Sequence, residues 1–154
     1  MGDNIIASNN PWSITDQEAL KRIAQLVIGK DPEGAMPSVD DDLIWPSILE
    51  RSLDFERPVR NGLNMLNEHL NSQNLSKATD LSDDALAGLM ESRKELRSLL
   101  RAMIQIVAKC FYQDHRVLNQ LGFEARPPFP AGHEVEDGDW DLLEPVRSRP
   151  PLFR

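Results

Sequence analysis

The clearest structural signal in the chain is SDDALAGLMESRKELRSLLRAMIQIVAKCFYQ, residues 82–113. Ser82 is a favourable N-cap, and Asp83 and Asp84 place negative charge in the first turn, where the helix dipole stabilises it. The apolar side chains then recur at steps of three and four residues, the spacing of one helix face: Leu86, Leu89, Met90, Leu96, Leu99, Leu100, Met103, Ile104, Val107, Ala108 and Phe111. This pattern predicts either two helices with a break near 91–93 or one helix of about 48 Å. Its second half is apolar enough to be the central helix of the domain.

Three further helices are predicted before this segment. The first has Thr15 as its N-cap and ends at Gly29, where glycine favours a helix C-terminus. The second begins between 41 and 46 and the third near Pro58, because proline is tolerated in a first turn. The stripes predicted to be buried are Leu20, Ile23, Ala24, Val27 and Ile28 in the first, Ile44, Ile48, Leu49 and Leu53 in the second, and Leu63, Leu66 and Leu70 in the third. No segment alternates with a period of two, so the sequence predicts an all-α fold, with a compact domain of about four to five helices in residues 1–121.

The last part of the chain, residues 122–154, has a different composition. It contains six of the 11 prolines and three of the eight glycines, and it shows no helical period. Spaced aromatic groups can offset the entropy of ordering such a segment if they enter a groove. We therefore predict an extended C-terminal arm that packs on the domain or on a partner protein. Aromatic residues and arginine dominate interface energetics, so the predicted contacts with a partner are Phe123, Arg126, Phe129, Trp140 and Phe153.

Charge and composition exclude several classes of function. The 154-residue chain is the length of one domain, and its net charge is -8, from 25 acidic and 17 basic residues. Such a field is unfavourable for nucleic acids and anionic membranes and suits a basic partner. No stretch approaches the roughly 18 apolar residues of a membrane span. No secretory signal is recognisable at the start of the sequence, so we expect either a cytoplasmic protein or one exported together with a partner.

The sequence predicts no catalytic, cofactor-binding or metal site. The carboxylates at 40–42 lack the alternation and the glycine of a calcium loop, and their position at a helix start explains them. Cys110 lies in an apolar run, which indicates a buried thiol. Tyr112, Asp114 and His115 are the one cluster from which an acid–base pair could be built. No phosphate-binding glycine loop, CxxC, HExxH or GxSxG motif is present,.

Three segments resemble the gluconate 2-dehydrogenase subunit 3 family. RIAQLVIGKDPEGAMPSVDDD (22–42) is similar to a family block in which a helix ends in an acidic loop followed by a Pro-Ser turn. YQDHRVLNQLGFEARPPF (112–129) resembles a Tyr-x-Asp-x-x-Val stretch with a Leu-Gly-aromatic turn and a proline-rich exit. The ending WDLLEPVRSRPPLFR (140–154) is similar to the tails of soluble family members, and the resemblance spans most of the chain with its segments in the same order.

The resemblance implies a bacterial, non-catalytic small subunit of a heteromeric flavin-dependent alcohol or sugar dehydrogenase. The FAD and the catalytic groups would then belong to a large partner subunit of the glucose-methanol-choline (GMC) type, which this chain would bind and stabilise. Two alternatives come from the residues themselves. One is a stand-alone small-ligand-binding protein or enzyme with a site near Tyr112, Asp114 and His115. The other is a protein that associates with copies of itself through the arm.

Overall fold

The computed structural model describes residues 11–123 and 140–147 of the chain. These residues form seven α-helices and no β-strand. The helices are α1 (Ile14–Val27), α2 (Ile44–Ser52), α3 (Glu56–Ser72), α4 (Asp83–Ser92), α5 (Lys94–Gln113), α6 (His115–Gln120) and α7 (Glu144–Arg147). Three short 3-10 turns accompany them, at Leu53–Phe55, Ala78–Asp80 and Trp140–Leu143. The predicted all-α class is confirmed.

Helix α5 is the centre of the domain, as its apolar pattern predicts. It contacts α1, α2, α3, α4 and α6, and its most extensive contact is with α3. One reason for that approach is Gly62 of α3, where a Cβ atom would lie only 2.3 Å from the Cβ of Leu99. The buried residues of α5 are Leu96, Leu99, Ala102, Met103, Ile106, Val107, Cys110 and Phe111. Ile104, which the sequence assigned to the same stripe, is instead 45% exposed, because residues at 103 and 104 point about 100° apart on a helix.

Helix α1 begins two residues earlier than predicted. Its N-cap is Ser13 and not Thr15. The Ser13 hydroxyl accepts a hydrogen bond from the amide of Asp16 (3.1 Å), and the Asp16 carboxylate accepts one from the amide of Ser13 (3.1 Å). This reciprocal arrangement satisfies two amides that have no partner inside the helix.

Trp12, just before this cap, belongs to the core although its surroundings in the sequence are polar. Its side chain is only 3% exposed. The indole Nε1 donates a hydrogen bond to the hydroxyl of the buried Ser52 (2.7 Å), which donates in turn to the carbonyl oxygen of Leu49 (2.6 Å). The buried face of α2 therefore differs from the prediction at the C-terminal end of the helix. Ser52 takes the buried position, and Leu53, which was expected there, is 41% exposed.

The long helical segment is divided into two helices at Arg93, one of the two predicted arrangements. Arg93 has an extended backbone (φ -130°, ψ 153°) and serves as the N-cap of α5. The guanidinium of Arg97 donates to the carbonyl oxygen of Glu91 (3.2 Å), which satisfies one of the free carbonyl groups at the end of α4,. The break allows α4 to pack on α5.

After α6 the chain enters the predicted arm. Helix α6 ends in a Schellman motif: Gly122 has φ 78°, its amide donates to Asn119, and the amide of Phe123 donates to Leu118,. Within the arm, residues 140–147 are helical turns and not extended chain. Among the described helices, none is both long and apolar enough to cross a membrane.

Candidate functional site

The end of α5 carries the polar cluster that the sequence singled out. Asp114 has an extended backbone (φ -70°, ψ 127°) that separates α5 from α6, and its side chain caps α6 by accepting from the amide of Arg116 (2.8 Å). Tyr112, on the last turn of α5, is 48% exposed and packs edge-on against the buried ring of Phe111. His115, the first residue of α6, is exposed. A local turn therefore gives the three side chains different surroundings.

Arg116 links this turn to the start of α2. Its guanidinium nitrogens Nη1 and Nη2 donate to the two carboxylate oxygens of Asp41, at 3.1 and 2.7 Å. Its Nε and Nη2 also donate to the carboxylate of Asp114, at 3.0 and 2.9 Å. One guanidinium thus holds two carboxylates that lie far apart in the sequence, in the planar geometry that favours arginine over lysine.

This network shifts the pKa values of its members. The hydrogen bonds from Arg116, followed by the backbone amide of Leu43, lower the pKa of Asp41 to about 2. Arg116 also lowers the pKa of Asp114. The two carboxylates in turn raise the pKa of Arg116, Asp114 more than Asp41. Asp114 is therefore ionised, hydrogen-bonded and charge-paired at neutral pH, which suits a structural carboxylate better than a general base.

An apolar groove of about 480 Å³ lies beside Tyr112. Its apolar lining consists of Ile28, Met36, Pro37, Val39, Phe111 and Tyr112, contributed by the end of α1, the following loop and the end of α5. Asp31 shapes the loop wall, because its carboxylate accepts hydrogen bonds from the amides of Met36 (2.8 Å) and Glu33 (3.0 Å). These bonds, Met36 first, lower the pKa of Asp31.

A second cavity, the polar pocket, of about 380 Å³, lies between α2 and the end of α5. Cys110 lines it together with Arg51, Asp114 and several residues of α2. The thiol is buried, as the sequence predicts, and burial raises the pKa of Cys110 while the neighbouring Arg51 opposes this shift. The thiolate is therefore disfavoured at neutral pH, which does not suit a nucleophile.

The structure does not bring Tyr112, Asp114 and His115 into one pocket within the described chain. Tyr112 lines the apolar groove, Asp114 lines the polar pocket, and His115 lines neither of them. A general acid and a general base must each lie within hydrogen-bond reach of the substrate group that they protonate or deprotonate, so a pair of them needs a common pocket. The three side chains therefore have different neighbours and do not surround one substrate position.

Only one predicted partner contact can be placed together with its side chain. Phe123 follows the Schellman motif of α6 and is 63% exposed. Trp140 begins a 3-10 turn, but its side chain lies outside what the structure describes. Arg126, Phe129 and Phe153 fall outside the described residues altogether. The proposed contacts of the arm therefore remain predictions, with Phe123 in an accessible position.

In the acidic run Asp40–Asp42, the first two carboxylates are hydrogen-bonded within the protein. Within the described ranges, no three His, Cys, Asp or Glu side chains are placed to hold a metal ion. Asp41 is paired with Arg116, and Asp40 accepts hydrogen bonds from Ser38 and Gln25. Sequence reasoning did not identify Arg116 or the loop side chains of the groove, because their partners come from distant elements and leave no local spacing pattern.

Comparisons of the chain with protein-family models, with curated proteins and with solved structures returned no match.

Proposed function

We propose that this protein is a helical accessory protein that acts by binding a partner protein through the surface formed by the end of α5, the turn after α6 and the groove beside them. The observation that carries the proposal is the accessible apolar surface at this place. Tyr112, Leu121 and Phe123 are 48%, 42% and 63% exposed, and Tyr112 borders a groove with a largely apolar lining. An exposed aromatic side chain at the edge of an apolar groove supports this use of the surface, because contiguous exposed apolar patches mark protein-binding sites.

The finer proposal is that the partner is the large subunit of a flavin-dependent dehydrogenase of the GMC type. Its support is the resemblance of residues 22–42, 112–129 and 140–154 to the gluconate 2-dehydrogenase subunit 3 family. On this proposal the flavin is bound by the large subunit, and the present chain stabilises that subunit. The net charge of -8 favours association with a basic surface of the partner.

The alternative of a small-ligand site at Tyr112, Asp114 and His115 has less geometric support. The two cavities near these residues are 480 and 380 Å³, which is within the range of ligand pockets. However, each cavity receives only one of the three side chains. A ligand bound in either one would not meet the whole cluster.

A tagged copy of the protein, purified from its native host, tests the proposal. The expected result is a stoichiometric large companion, identified by mass spectrometry, with a flavin absorption spectrum in the eluate. A stoichiometric companion without flavin would contradict the dehydrogenase proposal and leave partner binding in place. A protein that elutes alone would contradict both.

A further inference from the structure

The loop 29–42, which forms one wall of the apolar groove, is strongly acidic. It carries five carboxylates, at Asp31, Glu33 and Asp40–Asp42, against the single lysine Lys30. Asp41 is paired with Arg116, which is shared with Asp114. None of the other four carboxylates has a cation within 4.0 Å in the described part of the chain. The loop beside the groove is therefore net negative, although the charged residues that line the groove itself are Lys30 and Asp31. The charge of Lys21 also acts on Asp40 and contributes to its lowered pKa.

The lining of the groove is suited to one large apolar side chain. The rings of Phe111 and Tyr112 meet at 87° with their centroids 5.3 Å apart and form one side. Val39 and Met36 belong to the part of the lining that comes from the loop. Val39 and Phe111 are each only 2% exposed, whereas Tyr112 is 48% exposed at the edge. A partner side chain would thus replace water over a preformed apolar surface, which favours binding.

We infer that the occupant of the groove is a segment of a partner protein in which a leucine or an aromatic residue is flanked by lysine or arginine. The apolar side chain enters the groove, and the flanking cations face Glu33, Asp40 and Asp42. Charge complementarity selects this occupant, because an acidic or neutral segment would bring no cation to these carboxylates. The inference rests on the proposed function, since it specifies the chemistry of the partner for the same surface.

The chain's own arm is a poorer fit over most of its length. Residues 124–139 contain five carboxylates and one arginine, so they carry the same sign of charge as the loop wall. Residues 148–154, SRPPLFR, do combine Leu152 and Phe153 with two arginines. That segment is the competing occupant, and the experiment must separate it from a partner.

The test uses the full chain and three fluorescein-labelled peptides: KRLFRK, the charge-reversed EELFEE and the apolar-deleted KRSSRK. Fluorescence anisotropy at low salt is expected to give at least tenfold tighter binding of KRLFRK than of either control peptide. The affinity for KRLFRK should fall as salt is raised, because exposed charges are screened. Equal binding of all three peptides, or of KRLFRK and KRSSRK, would overturn the inference.

Variants of the protein locate the binding. Tyr112→Ala should weaken KRLFRK binding about tenfold, as for truncation of an interface anchor. Ile104→Ala is the matched control, because Ile104 lies on the same helix with a similar exposure of 45% and does not line the groove. Glu33→Lys should weaken binding about threefold or more, and Glu68→Lys, outside the loop, should not. Equal effects of the test and control variants would overturn the inference.

Two further outcomes would also overturn it by identifying a different occupant. If the double variant Leu152→Ser, Phe153→Ser bound KRLFRK more than tenfold tighter than the unchanged chain, the chain's own segment would be the occupant. If sedimentation showed a dimer that Tyr112→Ala dissociates, the occupant of the groove would be a second copy of the chain. A native partner that Tyr112→Ala and Glu33→Lys both fail to weaken would remove the inference and leave the proposed function standing.

Discussion

Helices α3 and α5 leave no room for a side chain at Gly62. We predict that Gly62→Ala destabilises the protein by about 2 kcal/mol, because the new Cβ would lie 2.3 Å from the Cβ of Leu99 and the helices must separate,. Urea denaturation monitored by circular dichroism measures this change. The matched control is Gly88→Ala in α4, where a Cβ would meet nothing within 4 Å. The control should stabilise the protein by about 0.5–1 kcal/mol, and a similar gain at position 62 would show that the helices are not in close contact.

The chemistry of Cys110 is also determined by its immediate surroundings. Burial raises its pKa, and the side chain is only 7% exposed. We predict that the native protein reacts with a thiol reagent such as iodoacetamide at least tenfold more slowly at pH 7.5 than it does in 6 M guanidinium chloride. Mass spectrometry of timed samples follows the reaction. Rapid modification of the native protein would show that the thiol is accessible and that its burial here is wrong.

The residue that caps the N-terminus of α1 can be tested by substitution. We predict that Ser13→Ala lowers the free energy of unfolding by about 1 kcal/mol, because it removes the side chain that caps the helix,. Thr15→Ala should change it by less than about 0.5 kcal/mol, since Thr15 is exposed and lies inside the helix,. Both values come from urea denaturation. The reverse ranking would restore Thr15 as the cap.

The ion pair between Asp41, just before α2, and Arg116 in α6 makes the stability of the protein depend on pH. The pKa of Asp41 is about 2 in the folded protein against about 3.9 for an unperturbed carboxyl. The stabilisation is therefore complete above about pH 4 and is lost as the pH falls towards 2. We predict that Asp41→Asn costs about 1 kcal/mol at pH 7 and less at pH 2.5, in thermal or urea denaturation. Asp42→Asn is the control, and an equal pH dependence of the two variants would contradict the assignment.

The elements differ in how far their sequences predict them. The all-α class, the central position of α5 and the cap at Ser82 follow from local spacing and capping chemistry, which the sequence displays directly,. The burial of Trp12 does not, because it depends on a hydrogen bond to Ser52, 40 residues away. The choice between one long helix and two at Arg93 also remained open, since both preserve the same apolar stripe.

The candidate site was predictable only in part. The segment 112–115 was identified from its residue types, but its division between two cavities depends on the turn at Asp114. The pairing of Arg116 with Asp41 joins residues 75 positions apart, and nothing in the local sequence of either residue indicates it. The groove wall is likewise a loop from a different part of the chain, so periodicity within α5 could not reveal it.

At the scale of the whole molecule, the exposed apolar side chains of the described chain include Tyr112 at the end of α5 and Leu121 and Phe123 just after α6, besides others such as Ile14 and Leu43. The polar groups near the end of α5 stabilise turns and helix starts. Asp114 caps α6, and Arg116 ties that cap to α2. On the proposed function, these polar groups form a frame that presents the apolar surface to a partner. We predict that the frame survives when the surface is changed.

The most direct test measures binding of the purified native companion to the unchanged chain and to the double variant Tyr112→Ala, Phe123→Ala by isothermal titration calorimetry. The variant should fold with an unchanged circular dichroism spectrum, because both side chains are largely exposed. Its affinity for the companion should fall by at least tenfold. The control Ile104→Ala should bind as the unchanged chain does. Full affinity of a folded double variant would contradict the claim that this surface binds the partner.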